Sequence, residues 1–150
     1  MDRLDNEALL FGQLFVLHQH LSRMADTALE PLGVTGKQWL LLALLTRAFD
    51  EPPTLSEAAN VYGTSRQNIK QIALQLQKRG FIEVKEDRGD KRALRLHLSP
   101  KIHAFDEPEQ TRTQNELLRQ TFASLDDHEL NTFRELMGKL LDSHTGKHPR

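Results

Sequence analysis

The chain has 150 residues, of which 38% are hydrophobic and none is cysteine. This length suits one compact domain, or a small domain with added helices, and the lack of cysteine excludes disulfides, thiolate metal sites and a catalytic thiol. The net charge of −1 conceals an uneven distribution, because residues 64–101 hold ten Lys or Arg against four Asp or Glu, a net of +6. A basic segment therefore lies within an otherwise acidic chain.

Two helices are predicted before residue 50. Apolar residues recur at helical spacing over residues 5–30, and Pro31 with Gly33 ends the pattern. Thr35 can cap a second helix, in which residues 39–45 are apolar on nearly every side. Such a helix is expected at the centre of the core.

Two further helices are predicted between residues 54 and 80. Thr54 with Glu57 has the spacing of a capping box and starts a short third helix. The fourth helix begins near Thr64 or Ser65 and ends at Gly80. One of its faces is apolar, with Ile69, Ile72 and Leu76, and the other is basic and rich in amides.

A hairpin follows, and then more helix. Apolar residues alternate along residues 82–84 and again along residues 94–98, with a charged tip at residues 87–92. Ser99-Pro100 opens a helical region to about residue 125, which Pro108 should kink or split. Asp126 with Glu129 caps a last helix, and the tail of residues 146–150 is expected to fray.

The third and fourth helices, joined by a turn containing Gly63, have the arrangement of a helix-turn-helix. In the major groove of DNA, Arg can bond to guanine and Asn or Gln to adenine, while Ser and Thr serve bases or phosphates. The alternative is an ordinary solvated polar face, which is commoner. The side chains expected to read bases, concentrated at the leading end of the fourth helix, are Thr64, Ser65, Arg66, Gln67, Asn68, Lys70 and Gln71.

The hairpin tip has the composition of a DNA-contacting wing. Arg88 and Lys91 are expected to reach phosphates or a narrow minor groove, where the negative potential is enhanced. Asp87 and Asp90 would repel phosphate, so their expected role is to stabilise the wing, together with Arg92. In that role, an acid either pairs with Arg92 or is held by loop amides. The alternative for the whole hairpin tip is a loop that is merely solvated.

These segments resemble the MarR family of winged helix-turn-helix regulators, and the resemblance covers most of the chain. The similar segments are residues 35–40 (TGKQWL), residues 55–59 (LSEAA), residues 64–69 (TSRQNI), residues 76–82 (LQKRGFI), the wing residues Asp87, Asp90, Arg92 and Ala93, and residues 98–101 (LSPK). The last of these stands where the family commonly has Leu-Thr-x-x-Gly. The resemblance implies a mainly α fold with a small β-hairpin wing.

The resemblance further implies a homodimer whose first and last helices intertwine, and which binds double-stranded DNA at a pseudo-palindromic operator. It also implies frequent repression, relieved by a small phenolic or other anionic effector. The apolar stripes of the terminal helices independently favour the dimer. The expected division is a winged helix-turn-helix DNA-binding domain at residues 35–99, with a helical dimerisation region at residues 1–34 and 100–146.

An effector pocket is expected where the terminal helices meet the winged domain, with His18, Trp39 and Arg47 as candidate residues. Plain core packing is the alternative for these side chains. No metal site and no cofactor are expected: His128-Glu129 begins like a zinc-protease motif, but Thr132 occupies the second histidine position. Glycine-loop and G-x-S-x-G motifs are also absent, so no enzyme is expected.

The N-terminal residues lack the pattern of a secretory signal, and the apolar run at residues 39–45 is much shorter than the roughly 20 residues of a membrane span. The expectation is a cytoplasmic protein that does not associate with membranes. The rival hypothesis for function is a winged-helix adaptor that binds proteins and not DNA, because a fold alone does not determine function.

Overall fold

The computed structural model describes residues 1–145. The predicted tail and the last residue of the expected dimerisation region lie outside the described residues. The helices are α1 (Arg3–Leu29), α2 (Gly36–Arg47), α3 (Leu55–Tyr62), α4 (Arg66–Lys78), α5 (Pro108–Phe122) and α6 (Asp127–Thr145). One antiparallel hairpin, β1 (Ile82–Glu86) with β2 (Leu94–Leu98), follows α4, and 3-10 turns occupy Glu30–Leu32 and Pro100–Asp106.

The predicted helix starts are confirmed. The Thr35 hydroxyl accepts from the Gln38 amide at 3.3 Å, while the Gln38 side chain accepts from the Thr35 amide at 3.1 Å. Thr54 and Glu57 form the same reciprocal pair at the start of α3. Such caps satisfy amides that have no partner within the helix. Pro108 splits the helical region as predicted, because it occupies the first turn of α5, where a missing N–H costs no helical hydrogen bond.

A single hydrophobic core joins α2, α3, α4 and the hairpin. Its fully buried members include Leu41, Leu55, Ile69 and Phe81. Helix α2 contributes Leu41, Leu42 and Leu45 to the core, as expected, but it is not covered on every side, because one of its faces stays open. Trp39 on that face is 39% exposed. Helices α1, α3 and α4 and strand β2 cover the other sides of α2.

The hairpin has the predicted alternation, with Ile82 opposite Leu98 and Val84 opposite Leu96. A third segment, not foreseen from the sequence, pairs with its outer edge. The Leu96 amide donates to the Pro53 carbonyl at 2.9 Å, and Thr54 forms an isolated bridge with Arg95. The hairpin is thereby fixed to the start of α3, so the wing and the helix-turn-helix form one unit.

The terminal helices are much more exposed than this unit. Every residue in positions 3–20 of α1 is exposed, and none of the described residues of α6 is buried. None of the helices within residues 1–145 is long and apolar enough to cross a membrane. The exposed apolar side chains of α1 and α6 include Leu9, Leu10, Phe11, Leu14, Phe15, Val16, Leu17, Leu130, Phe133, Leu136, Leu140 and Leu141.

Candidate nucleic-acid interface

The turn between α3 and α4 is set by Gly63. Its φ of 84° lies in the left-handed region, which glycine adopts without a steric cost, and its amide donates to the Ala59 carbonyl at 3.0 Å. The Tyr62 hydroxyl donates to the Lys37 carbonyl at 2.9 Å and so joins α3 to α2. Partial burial raises the pKa of Tyr62, which keeps this phenol a donor.

Three of the predicted base-reading residues also build the start of α4. The Ser65 hydroxyl accepts from the Asn68 amide at 3.1 Å and caps the helix. The Asn68 side-chain nitrogen donates to the Thr64 hydroxyl at 3.0 Å. Because a hydroxyl can donate as well as accept, and the Asn68 carbonyl oxygen keeps its lone pairs, some bonding capacity remains for a ligand.

The other four predicted base-reading residues present uncommitted side chains. Arg66, Gln67, Lys70 and Gln71 are all exposed, and none has a side-chain hydrogen bond or ion pair within residues 1–145. They lie on the first two turns of α4, where Ile69 is the buried residue. This leading end therefore offers a cationic, amide-bearing surface held on a rigid, capped helix.

The amides at the trailing end of α4 have a different role. The Gln75 side-chain oxygen accepts from the Gln38 side chain of α2 at 3.0 Å. The Gln77 side-chain oxygen accepts from the Val84 amide of β1 at 2.7 Å. Both side chains belong to exposed residues, and these two amides attach α4 to the elements on either side of it.

The wing is held by an ion pair that the sequence analysis did not identify. The Arg95 guanidinium donates from Nε to the Asp87 carboxylate at 2.6 Å, and from Nη1 to the Pro52 carbonyl at 2.7 Å. This bond to Arg95 lowers the pKa of Asp87, so the carboxylate stays ionised. Asp87 thus joins the wing tip, through Arg95, to the segment before α3.

Of the two expected arrangements, an acid paired with the Arg92 side chain does not occur within residues 1–145, whereas loop amides do hold the acids: those of Gly89 and Asp90 donate to Asp87. Only the main chain of Arg92 takes part, because its amide donates to the Asp90 carboxylate at 2.9 Å. The strand geometry explains the difference: Arg95 lies within β2, where it pairs with Lys85 of β1, whereas Arg92 lies in the loop. The alternating pattern of β2 could have indicated Arg95 as an unusual charge on a half-buried strand.

Three wing cations are left free within the described part of the chain. Arg88, Lys91 and Arg92 are exposed and have no ion pair there. They extend from a loop that the Asp90–Arg92 turn and the Asp87–Arg95 pair hold in shape. The wing thus combines a base held by hydrogen bonds with exposed positive side chains, which suits contact with a phosphate backbone.

A cavity of about 270 Å³ lies between α2, the end of β2, the Pro100–Asp106 turn and the start of α5. Trp39 and Arg47, two of the three predicted pocket residues, line it. His103 and Asp106, 3.3 Å apart, lie on the opposite wall and were not identified from the sequence. Their place in a 3-10 turn gives no periodic pattern by which to recognise them.

The third predicted pocket residue, His18, does not line this cavity. Its ring lies 3.5 Å from the Ser22 hydroxyl on the same helix. The start of α2 approaches α1 at Ser22, Ala25 and Asp26, which lie one to two turns after His18. Within residues 1–145, no group of three or more His, Asp or Glu side chains is arranged to hold a metal ion.

Helices α3 and α4 with the following hairpin define a winged helix-turn-helix protein. The sequence profile of the MarR family matches residues 32–93. The chain is also 36% identical, over 137 residues, to the transcriptional repressor MprA of Escherichia coli K12, and the match covers 90% of this chain and 76% of MprA. The chain therefore belongs to the MarR family of transcriptional regulators, which are not enzymes.

Solved structures have the same fold. A probable transcriptional regulator from Pseudomonas aeruginosa superposes with a TM-score of 0.72 at 28% identity, covering 92% of this chain and 99% of the other. Sco3205, a MarR family regulator from Streptomyces coelicolor crystallised with DNA, superposes with a TM-score of 0.75 at 18% identity, covering 93% and 88%. The predicted family and fold class are confirmed.

Proposed function

We propose that this protein is a sequence-specific DNA-binding repressor that acts as a homodimer on a pseudo-palindromic operator. The observation that carries the proposal is the exposed polar group at the leading end of α4, next to a wing with three cations that have no ion pair within residues 1–145. Both lie in the one segment whose net charge is +6. Repression is the role given in the name of the related MprA, and the related Sco3205 has been crystallised with DNA.

The two parts of the surface would divide the work of recognition. Arg66 and Gln67, with the remaining capacity of Asn68, would bond to base edges in the major groove, where bidentate contacts discriminate between bases. Lys70 and Gln71 would contact neighbouring bases or the backbone. Arg88, Lys91 and the unpaired Arg92 would contact phosphates or the minor groove, a contribution that depends on salt more than on sequence.

Dimerisation would come from the exposed terminal helices. Phe11 and Phe15 of α1 are 66% and 60% exposed, and Leu136 of α6 is 57% exposed. Apolar patches of this extent are unusual on a monomer and mark an interaction surface. We accordingly assign dimerisation to residues 1–34 and 100–146, and DNA reading to residues 35–99. A two-fold axis would place two copies of α4 about one helical turn of DNA apart, roughly 34–36 Å.

The cavity beside α2 is the proposed site of a small effector. Its volume of about 270 Å³ suits a single-ring molecule, and its walls pair the apolar Trp39 with the cationic Arg47. This composition favours an aromatic or other anionic ligand. The wall residue Phe105 packs against Phe81, their ring centroids 5.7 Å apart, and Phe81 follows closely on α4. Occupancy of the cavity could thus alter the position of α4.

The test is selection of bound duplexes from a random pool, followed by anisotropy titrations of variants on the selected operator and on random DNA. Arg66→Ala should lose discrimination between the two duplexes by about 1–3 kcal/mol, the value of one good base contact. Arg88→Ala should weaken binding to both duplexes and reduce the salt slope by about one. Arg134→Ala on α6, which removes the same charge from an element outside the reading surface, is the control once sedimentation has shown that it dimerises like the parent.

The outcomes separate the two candidate functions. A protein-binding adaptor would recover no preferred sequence and would show no salt-sensitive binding to duplex DNA. If the parent binds an operator and both Arg66→Ala and Arg88→Ala bind it equally well, the proposed repressor function stands but the roles assigned to Arg66 and Arg88 are wrong.

A further inference from the structure

Residues 99–101 form hydrogen bonds to the segment that follows α4. Three consecutive carbonyls, those of Arg79, Gly80 and Phe81, accept hydrogen bonds from residues 99–101. The Lys101 ammonium donates to the Arg79 carbonyl at 2.5 Å, the Ser99 hydroxyl donates to the Gly80 carbonyl, and the Ser99 amide donates to the Phe81 carbonyl at 2.9 Å. We call this arrangement the exit clamp.

Lys101 makes a second contact in the exit clamp, in addition to its hydrogen bond to Arg79. Its ammonium lies 4.6 Å from the centroid of the Phe81 ring, and Phe81 is fully buried in the core. A cation in this position is favoured by the ring face and by the negative end of the α4 dipole. Its side chain also passes Gly80, whose φ of 84° turns the chain out of the helix. Lys101 therefore connects the helix end, the turn and the core.

We infer that Lys101 is a positioning residue for DNA recognition, which sets the orientation of α4 by holding its trailing end. This inference rests on the proposed function. Helix α4 has 13 residues and is therefore about 20 Å long, so Lys101 lies at the end opposite to Arg66 and Gln67. A small rotation or tilt at the clamp displaces the base-reading side chains. Bidentate contacts to bases tolerate little displacement, whereas contacts to phosphates tolerate more.

The test compares Lys101→Met with Lys101→Arg in the full chain. Methionine retains the apolar stem beside Phe81 but removes the donor and the charge, while arginine restores both. Lys101→Met should bind the selected operator about fivefold more weakly, the net value of one ordinary hydrogen bond, with binding to random duplex and the salt slope unchanged. Lys101→Arg should restore most of the operator affinity. Arg134→Met, shown by sedimentation to dimerise like the parent, is the control for loss of one charge.

A second readout reports on the clamp itself. Hydrogen exchange of the peptide that covers residues 76–81 should increase in Lys101→Met and return toward the parent value in Lys101→Arg. Ser99→Ala removes the hydroxyl bond to Gly80 but keeps the amide bond to Phe81, so it should shift exchange and operator affinity in the same direction by a smaller factor.

Two results would overturn the inference while leaving the proposed function intact. The first is operator binding by Lys101→Met equal to that of the parent. The second is equal weakening on operator and random duplex with the salt slope lowered by about one, which identifies Lys101 as a direct phosphate contact. A parent protein that binds no duplex overturns the proposed function, and the positioning role with it.

Discussion

The winged helix-turn-helix region of residues 35–99, called the head below, and the terminal helices have the same kind of amphipathic pattern. They differ in how much of their apolar surface is buried within one chain. In the head, Leu41, Ile69 and Phe81 have no exposed surface, so one chain completes that core. In α1 and α6, Phe11 and Leu136 remain 66% and 57% exposed. An apolar stripe on a helix shows that the helix must pack against something, but the structure of one chain shows which stripes are already satisfied.

The two regions differ in charge as well as in burial. The free cations of α4 and the wing surround a core that does not depend on them, and they are therefore available for a ligand. The surface that the terminal helices leave exposed is instead largely apolar. The head is suited to a polyanion and the terminal helices to a second apolar face, and three experiments test this contrast.

The largest expected effect concerns the completed core. Phe81→Ala should lower the free energy of unfolding by about 3–5 kcal/mol, because it removes a fully buried ring from a packed site. Urea denaturation followed by circular dichroism measures it. Leu74→Ala is the control, since Leu74 on the same head is 45% exposed and should cost less than about 1 kcal/mol. Equal costs at the two positions would contradict a core completed within one chain.

The next largest effect concerns the exposed apolar surface of α1. Leu14→Asp should weaken self-association by roughly 100-fold, because it loses the burial of one leucine and places a charge in an apolar contact. Sedimentation across a range of protein concentrations measures the association. Leu74→Asp is matched in exposure, at 45% against 40% for Leu14, and should associate like the parent. The assignment of dimerisation to α1 fails if both variants weaken association alike.

The smallest effect concerns the ion pair at the wing base. The Asp87→Asn variant should melt a few degrees below the parent at neutral pH, because the lowered pKa of Asp87 means that its ionised form is stabilised by Arg95. A depressed carboxyl pKa stabilises the fold fully above the ordinary value of 3.8. That stabilisation is lost as the pH falls through the lower native pKa.

Melting temperatures between pH 7 and pH 3 therefore provide the measurement. The difference between Asp87→Asn and the parent should shrink at the acid end of this range. Glu86→Gln, a neighbouring exposed carboxylate without an ion pair within residues 1–145, should show a small difference that does not follow this course. A constant difference between Asp87→Asn and the parent would argue against the ionised pair as its origin.

Much of the fold could be predicted because its signals are local. The caps at Thr35 and Thr54 act over three residues, Gly63 and Gly80 act at their own φ angles, and the hairpin alternation has a period of two. For the same reason the exposed polar group at the start of α4 was identified correctly as a surface feature. Its roles in reading bases stay predictions.

The remaining features depended on contacts between distant parts of the chain. Arg95 and Pro52 are 43 residues apart, Gln38 and Gln75 are 37 apart, and Lys101 and Arg79 are 22 apart. A polar pair of this kind leaves no periodic trace, so the sequence favours Arg92 over Arg95 and gives Lys101 no structural role. His18 was assigned to the cavity for a related reason, since helical periodicity does not tell where along its length α1 meets α2.

The sequence by itself determined the order and ends of the helices, the alternation along the hairpin, the position of α4 and the family. Each of these follows from hydrogen bonds and periodicities that span a few residues. Only the tertiary structure decided which charges are paired, which residues line the cavity, which helix faces remain open and how α4 is held at its end. Those outcomes follow from packing, which brings together groups whose separation along the chain carries no information about their contact.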